Sequence, residues 1–261
     1  MIQGSAIGPI AFICNTSDLH PLTPGNGMCK FADDTDLIVP AKNSDTCMHE
    51  IANIESWSAK NNQKLNCKKS KEIIFCKPGT KNTSLPPVLD GIERTTSIKT
   101  LGVTLQNNLR MRQHVDDVLT RSSQSLYALR ILKTHGLSSK SLHTVFKSIT
   151  LSKILYAAPA WWGFTQAEER ARLESFIRKS KKFEFCDPNS PTIREHIDKA
   201  ESSLFQLTST NPSHSLHSLL PPVKTKEYNL RQRKHNFILP GKSNEFYNQN
   251  FLMRQLYKNC Y

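Results

Sequence analysis

The sequence holds no C-x-x-C pair, no H-x-x-x-H or H-E-x-x-H spacing and no G-x-S-x-G string. Neither a zinc ribbon or knuckle, nor a zinc hydrolase, nor a serine hydrolase of the nucleophile-elbow type is therefore written in its local spacing. Its seven cysteines, at 14, 29, 47, 67, 76, 186 and 260, are scattered and odd in number. They read as reduced thiols, buried or idle, and not as a disulfide framework. Long apolar runs are missing too. The longest, Ile154 to Phe164, is broken by Pro159 and falls far short of the ~20 residues that a membrane span needs. Met1-Ile2-Gln3-Gly4 shows no basic segment followed by an apolar one. No signal peptide is expected, and the protein is expected to stay inside the cell, in nucleus or cytoplasm and off the membrane. There are no internal repeats.

What is present is an ordinary soluble composition, 38% apolar and 22% charged, over 261 residues, enough for one large or two small domains. The net charge of +13 is unevenly spread. Residues 1–106 carry 11 Lys/Arg against 10 Asp/Glu, residues 107–182 carry 14 against 5, and residues 183–261 carry 10 against 7. A near-neutral segment joined to a basic one suits a neutral core with an appended arm that grips phosphates. A well-solvated helical surface would give the same count, so charge leaves both readings open.

The first 106 residues read as mixed α and β. Gly4 to Gly8 form a glycine-bearing loop, and Pro9 sits where the first turn of a helix running to about Leu19 would begin. After the Pro/Gly-rich Pro21 to Gly27, Met28–Phe31 and Thr35–Val39 are expected as short strands around Ala32-Asp33-Asp34. A helix is expected over Thr46 to Lys64, with Cys47, Ile51, Ile54 and Ser58 on one face. Lys71–Phe75 and Ile98–Leu105 are the other expected strands. From about residue 110 the period becomes helical. Val115, Val118, Leu119, Ser122, Leu126, Leu129 and Leu132 mark one amphipathic helix that stops near Gly136; Leu142, Val145, Phe146 and Ile149 mark a second; Leu173, Phe176 and Ile177 a third. Beyond Cys186, and above all from Ser209 to Pro222, Ser, Pro and Asn predict a linker or loosely folded stretch before a short basic tail.

The strongest local signal is Phe31-Ala32-Asp33-Asp34 between two apolar runs. Paired acids in a tight turn between strands are held side by side, which suits Mg²⁺, an ion that takes one or two carboxylates and completes its shell with water and phosphates. Two such ions ~4 Å apart can clamp the attacking and leaving oxygens of a phosphoryl transfer. Adjacent acids also make plain polar turns, and Asp36, pointing the same way as Asp34, reads as a surface acid. Ahead of this turn lies Gln3-Gly4-Ser5-Ala6-Ile7-Gly8-Pro9, a glycine-bearing loop opening a helix, where backbone can approach a phosphate closely.

In order and spacing, Gln3 to Pro9 followed by Phe31-Ala32-Asp33-Asp34 resembles the B and C motifs of reverse transcriptases. Leu65-Asn66-Cys67-Lys68-Lys69-Ser70-Lys71 resembles the D motif; Leu101-Gly102-Val103-Thr104-Leu105, with Leu109 and His114 after it, resembles the E motif and the start of the thumb. Tyr156-Ala157-Ala158-Pro159-Ala160-Trp161-Trp162 is similar to the thumb segment of jockey-like non-LTR (LINE-type) retrotransposons. Leu230 to His235, Leu239-Pro240, Asn250-Phe251 and Arg254 are similar to the extreme C-terminus of such elements.

The resemblance implies an α+β fold: a truncated right-hand polymerase palm, an antiparallel sheet plus helices, over 1–106, an all-α thumb over 107–182, and a linker and C-terminal tail over 183–261. It implies an RNA-directed DNA polymerase using two Mg²⁺ ions in the intact enzyme, with an RNA template, a DNA primer and deoxynucleoside triphosphates as partners. Asp33 would ligate the metals, Asp34 would support the metal site or the primer end, and Gln3, Gly4 and Ser5 would line the pocket for nucleotide and template base. Lys69 would meet the leaving pyrophosphate, although Lys64, Lys68 and Lys71 crowd it and a solvated lysine cluster reads equally well. Residues 101–105 would help hold the primer 3′ end. Trp161 and Trp162 could stack on a base, but their apolar neighbours favour the thumb core. The motif A aspartate and the fingers belong upstream of Gln3. The chain by itself is therefore expected to be inactive, and two other readings stay open: a non-catalytic nucleic-acid-binding remnant, and the relic of a decayed element.

Overall fold

In the computed structural model of the chain, residues 7–76, 85–224, 235–242 and 244–258 are described here. They form helices with short strands, an α+β arrangement. The chain divides into two compact units, Met1–Thr96 and Ser97–Tyr261. No helix among the described residues is long and apolar enough to cross a membrane.

The first unit opens with α1, Gly8–Asn15, which carries a proline in its first turn. There the missing N–H costs nothing. The helix stops at Asn15, short of the expected Leu19, because Thr16 closes it: its backbone N–H bonds Phe12 O and its hydroxyl bonds Ile13 O. Strands β1 (Gly27–Phe31) and β2 (Asp34–Ile38) form an antiparallel hairpin in which Phe31 pairs with Asp34, leaving Ala32-Asp33 as a two-residue loop. After a 3₁₀ turn over Ala41–Thr46 comes α2, Cys47–Lys60. It ends before the expected Lys64, where Asn61 folds back on Trp57 and Ser58. The Pro/Gly-rich loop before β1 is fastened to α2 by Glu50, a fully buried carboxylate that accepts from Leu22 N (2.9 Å), Thr23 N (2.8 Å) and Asn26 Nδ2 (2.9 Å). Strands β3 (Lys71–Ile73) and β4 (Glu93–Thr95) pair in parallel, with Arg94 bonded to Glu72 at 2.6 Å and to the carbonyls of Pro86 and Pro87.

The second unit begins with a second antiparallel hairpin, β5 (Ser97–Thr100) and β6 (Val103–Gln106). A single strand over Ile98–Leu105 was the sequence expectation. The structure folds it in two, because Leu101 (φ 47°) and Gly102 (φ 85°) both take left-handed conformations and so make the tight two-residue turn that matches strand twist. This hairpin packs on α3, Arg112–Thr134. Strands thus pair in three two-stranded sheets among the described residues, two antiparallel and one parallel, and not in one antiparallel sheet. Helix α3 ends where the sequence puts its stop. Gly136 (φ 85°) donates to Lys133 O and Leu137 to Leu132 O, the paired bonds of a glycine-terminated helix.

Then follow α4 (Ser139–Val145), a π-helical turn (Phe146–Leu151), α5 (Ser152–Leu155), α6 (Ala158–Trp161), a 3₁₀ turn (Trp162–Phe164) and α7 (Ala167–Lys182). Their buried faces make one core with α3: Val115, Leu129, Leu142, Phe146, Ile154, Trp161, Leu173 and Ile177 among others. The stretch past Cys186 departs from the linker expectation. Residues Ile193–Thr210 form α8, opened by a reciprocal cap between Thr192 and Glu195, and Ile193 and Ile197 join the core. Phe205 packs with Phe251, Met253 and Leu256 of the last helix, α10 (Phe251–Tyr257), which follows α9 (Glu245–Gln249). Of the tail segment Leu230 to His235, only His235 lies within the described residues.

Candidate active site

The paired acids sit at the tip of the β1–β2 hairpin. Ala32 (φ 51°) turns the chain, Asp33 occupies the second loop position, and Asp34 begins β2; both carboxylates are exposed. Asp36 follows on the same face as Asp34, since side chains alternate along a strand. It is half-buried, and its acidity is weakened first by that burial and second by the negative charge of Asp34. The hairpin is braced from below by Lys30, whose ammonium donates to the carbonyls of Thr16 (2.5 Å) and Leu19 (2.7 Å) just past α1. These carbonyls lie at the negative end of the helix, so a cation is well placed there. Beside the turn, Ile13, Thr16, Ser17, Lys30, Phe31 and Ala32 line a groove of about 480 Å³. Phe31 is 65% exposed at its rim.

Lys69 is exposed in a turn before β3, with its backbone N–H bonded to Asn66 O. Neither a hydrogen bond nor an ion pair joins its ammonium to the hairpin tip among the described residues. Gln3, Gly4 and Ser5 lie outside the described residues. Two adjacent carboxylates at an open turn suit a hard cation that keeps water and phosphate in its shell. Yet no group of three or more His, Cys, Asp or Glu among the described residues is placed to hold a metal ion. The donors here do not make a resident magnesium site by themselves.

In the second unit, Trp161 and Trp162 are buried and take the core role. The Trp161 indole N–H donates to Tyr156 O at 3.0 Å, and the Arg170 guanidinium lies 5.0 Å over the Trp162 ring. The basic excess of 107–182 lies mostly at the surface: Arg121, Arg130, Arg178, Lys179 and Lys182 are exposed and form no ion pair among the described residues. Arg172, by contrast, is tied to Asp116 at 2.6 Å and Lys133 to Glu184 at 2.7 Å. His114 and Tyr156, named in the sequence only as parts of longer segments, bond to the β5–β6 hairpin. No spacing rule marks such partners, which meet through the fold. The six cysteines among the described residues are all free.

No protein family matches the chain, and neither a curated protein nor a solved structure matches it.

Proposed function

We propose that the chain is part of an RNA-directed DNA polymerase, the reverse transcriptase of a non-LTR retrotransposon. The observation that carries this reading is the folding of Phe31-Ala32-Asp33-Asp34 as the tip of a tight antiparallel hairpin with both carboxylates facing solvent. An acid pair with one member on the two-residue turn and the other at the first position of β2 would present its charge at a fixed point to a metal-bound triphosphate, and such positioning supplies most of phosphoryl-transfer catalysis. In this reading Asp33 would help to hold the catalytic Mg²⁺, which would supply charge stabilisation to the transferring phosphoryl group, and Asp34 would support the metal site or the primer end. Lys69 serves the leaving pyrophosphate, and Gln3, Gly4 and Ser5 serve the nucleotide and template base. Residues 1–106 would be a partial palm, and the helices of 107–182, with basic α3 and α7 among them, a thumb that holds the RNA–DNA duplex. The third carboxylate comes from outside the described residues.

Two assays test this. The chain preceded by a segment that supplies an aspartate between apolar residues is given a primed RNA template, deoxynucleoside triphosphates and Mg²⁺; extension that Asp33→Ala abolishes is expected. Absence of extension by a protein whose upstream segment carries an aspartate between apolar residues would overturn the proposal. The 261-residue chain alone is expected to extend nothing, because no third carboxylate joins the paired acids among the described residues. A second reading, duplex binding without catalysis, is favoured by the exposed cations of the second unit. Binding that survives Asp33→Ala together with an inert extended protein would select it.

A further inference from the structure

Helices α3 and α7 pack together in the second unit and are tied at two levels. Arg172 bonds Asp116 at 2.6 Å near one end, and Lys133 bonds Glu184 at 2.7 Å beyond the other. Along α3 the two ties stand about 25 Å apart, at about 1.5 Å per residue. From the first tie a groove of about 680 Å³ runs along α3, lined by Leu119, Thr120, Ser123, Gln124 and Tyr127. Clefts that hold ligands measure roughly 300–1,000 Å³. Tyr127 is 68% exposed, and Ile131, one turn on, is 41% exposed.

A merely solvated helix face would carry charge here. Segment 107–182 holds 14 Lys/Arg against 5 Asp/Glu, yet α3 has no charged residue from Ser122 to Leu129. By the helical period Leu119, Ser123, Tyr127 and Arg130 share one side of α3, and Arg172 and Lys179, two turns apart, share one side of α7. The groove thus has an apolar and hydroxyl-bearing floor, an ion pair at its near end and two cations towards its far end. Arg130 and Lys179 are exposed and form no ion pair among the described residues. A phosphate backbone fits this floor poorly. Arg172 is spent on Asp116, whose carboxylate repels phosphate, and uncharged side chains displace no counterions.

We propose that this groove docks an amphipathic helix of a partner protein, its apolar side chains over Leu119 and Tyr127 and its acidic end against Arg130 and Lys179. Charge complementarity selects that occupant. A helix presents apolar residues at i, i+3, i+4 and i+7 on one face and can gather carboxylates at one end. Tyr127 suits the anchor's part, since a rigid ring with a polar tip covers much area at little entropic cost. The whole groove belongs to the second unit, and the proposal stands whatever chemistry the hairpin acids perform.

The test selects a displayed library of random peptides, about 16 residues long and so about four helical turns, against the full 261-residue chain. Enriched peptides are expected to place apolar residues at i, i+3 or i+4 and i+7, with Asp or Glu towards one end. One of them, synthesised, should gain helical circular dichroism on binding. It should bind the wild type at least about tenfold more tightly than Tyr127→Ala. Arg130→Glu should weaken it as well, and Arg130→Lys should restore it. Asp33→Ala should change nothing, which keeps this result apart from the fate of the polymerase reading. No enriched sequence, or enriched peptides that bind Tyr127→Ala equally well, overturns the proposal. Single-stranded RNA or an RNA–DNA hybrid that loses as much affinity in Tyr127→Ala overturns it too, making the groove a nucleic-acid surface. So does a dimer of the chain that Tyr127→Ala dissolves, making the occupant a second copy. If Tyr127→Ala lowers the melting temperature, Arg130→Glu against Arg130→Lys decides.

Discussion

At the scale of single residues, two buried ionisable groups, one acid and one base, both weaken the fold as pH falls. Burial alone would raise the Glu50 pKa, but the hydrogen bonds from Leu22, Thr23 and Asn26 outweigh it and hold the carboxyl below its ordinary range. A carboxylate depressed on folding contributes stability that is present above its unfolded pKa and is lost as pH falls through the folded one. Glu50→Gln leaves one acceptor oxygen for three donors. It is expected to cost the first unit roughly 2–4 kcal/mol, read as faster exchange of the Leu22 and Thr23 amides. His114 is lowered chiefly by burial, helped by Lys99 and Arg121 and opposed by Asp117; His196 is lowered by burial as well. For a base depressed on folding, the unfolded chain takes up its proton first as pH drops below about 6.5. The second unit should therefore lose stability on mild acidification. In His114→Gln the melting temperature should fall less between neutral pH and about pH 5.5. An equal fall in the variant would mean that His114 does not carry the effect.

At the scale of elements, the last helices are locked into the second unit through Gly163. A Cβ there would overlap Arg254 Nη1 and the Gln249 carbonyl. Arg254 also pairs with the buried Glu201 and donates to Pro159 O, while Gln255 donates to Glu201 at 2.8 Å. Gly163→Ala is thus expected to displace α9 and α10 and to cost about 3 kcal/mol, as overpacking against rigid backbone does. Denaturant unfolding of the full chain measures it, and a loss under half a kcal/mol would show that the contact is not fixed. These helices also mark where sequence reading stopped. The strands around Ala32-Asp33-Asp34, of which the structure gives Asp34 to β2, and the end of α3 at Gly136 were legible because the turn and stop residues sit at the boundary itself. Helix α8 was hidden by the Ser, Pro and Asn that flank it, at 188–191 and 211–213. Its readable sign was the Thr192-x-x-Glu195 cap ahead of Ile193 and Ile197. The turn at Leu101-Gly102 was hidden because leucine rarely adopts a positive φ, and tertiary contact with Tyr156 is what accompanies it here. At the candidate site the acid pair was legible as a local string. Whether a third carboxylate completes it depends on long-range folding that no local pattern encodes.

At the scale of the whole molecule, charge decides what the protein can hold. The segment 107–182 carries 14 Lys/Arg against 5 Asp/Glu, and its cations split into two sets. Arg172 and Lys133 are spent on internal pairs, while Arg178, Lys179 and Lys182 on α7 stay exposed and form no ion pair among the described residues. Only the second set can displace counterions from a polyanion. Affinity for an RNA–DNA hybrid should therefore fall steeply with salt, by about 0.9 in log–log slope for each phosphate neutralised on a double strand. Replacing Arg178, Lys179 and Lys182 together with glutamine should flatten that slope by about 2–3. It should weaken hybrids of every sequence alike, since contacts to phosphate position a duplex without reading it. Asp33→Ala should leave the slope where it was, because the hairpin acids repel phosphate unless a metal stands between. Equal salt slopes for the wild type and the triple glutamine variant would mean that the basic excess is only a solvated helix surface. In that case the thumb assignment would lose its physical basis, whatever the hairpin acids do.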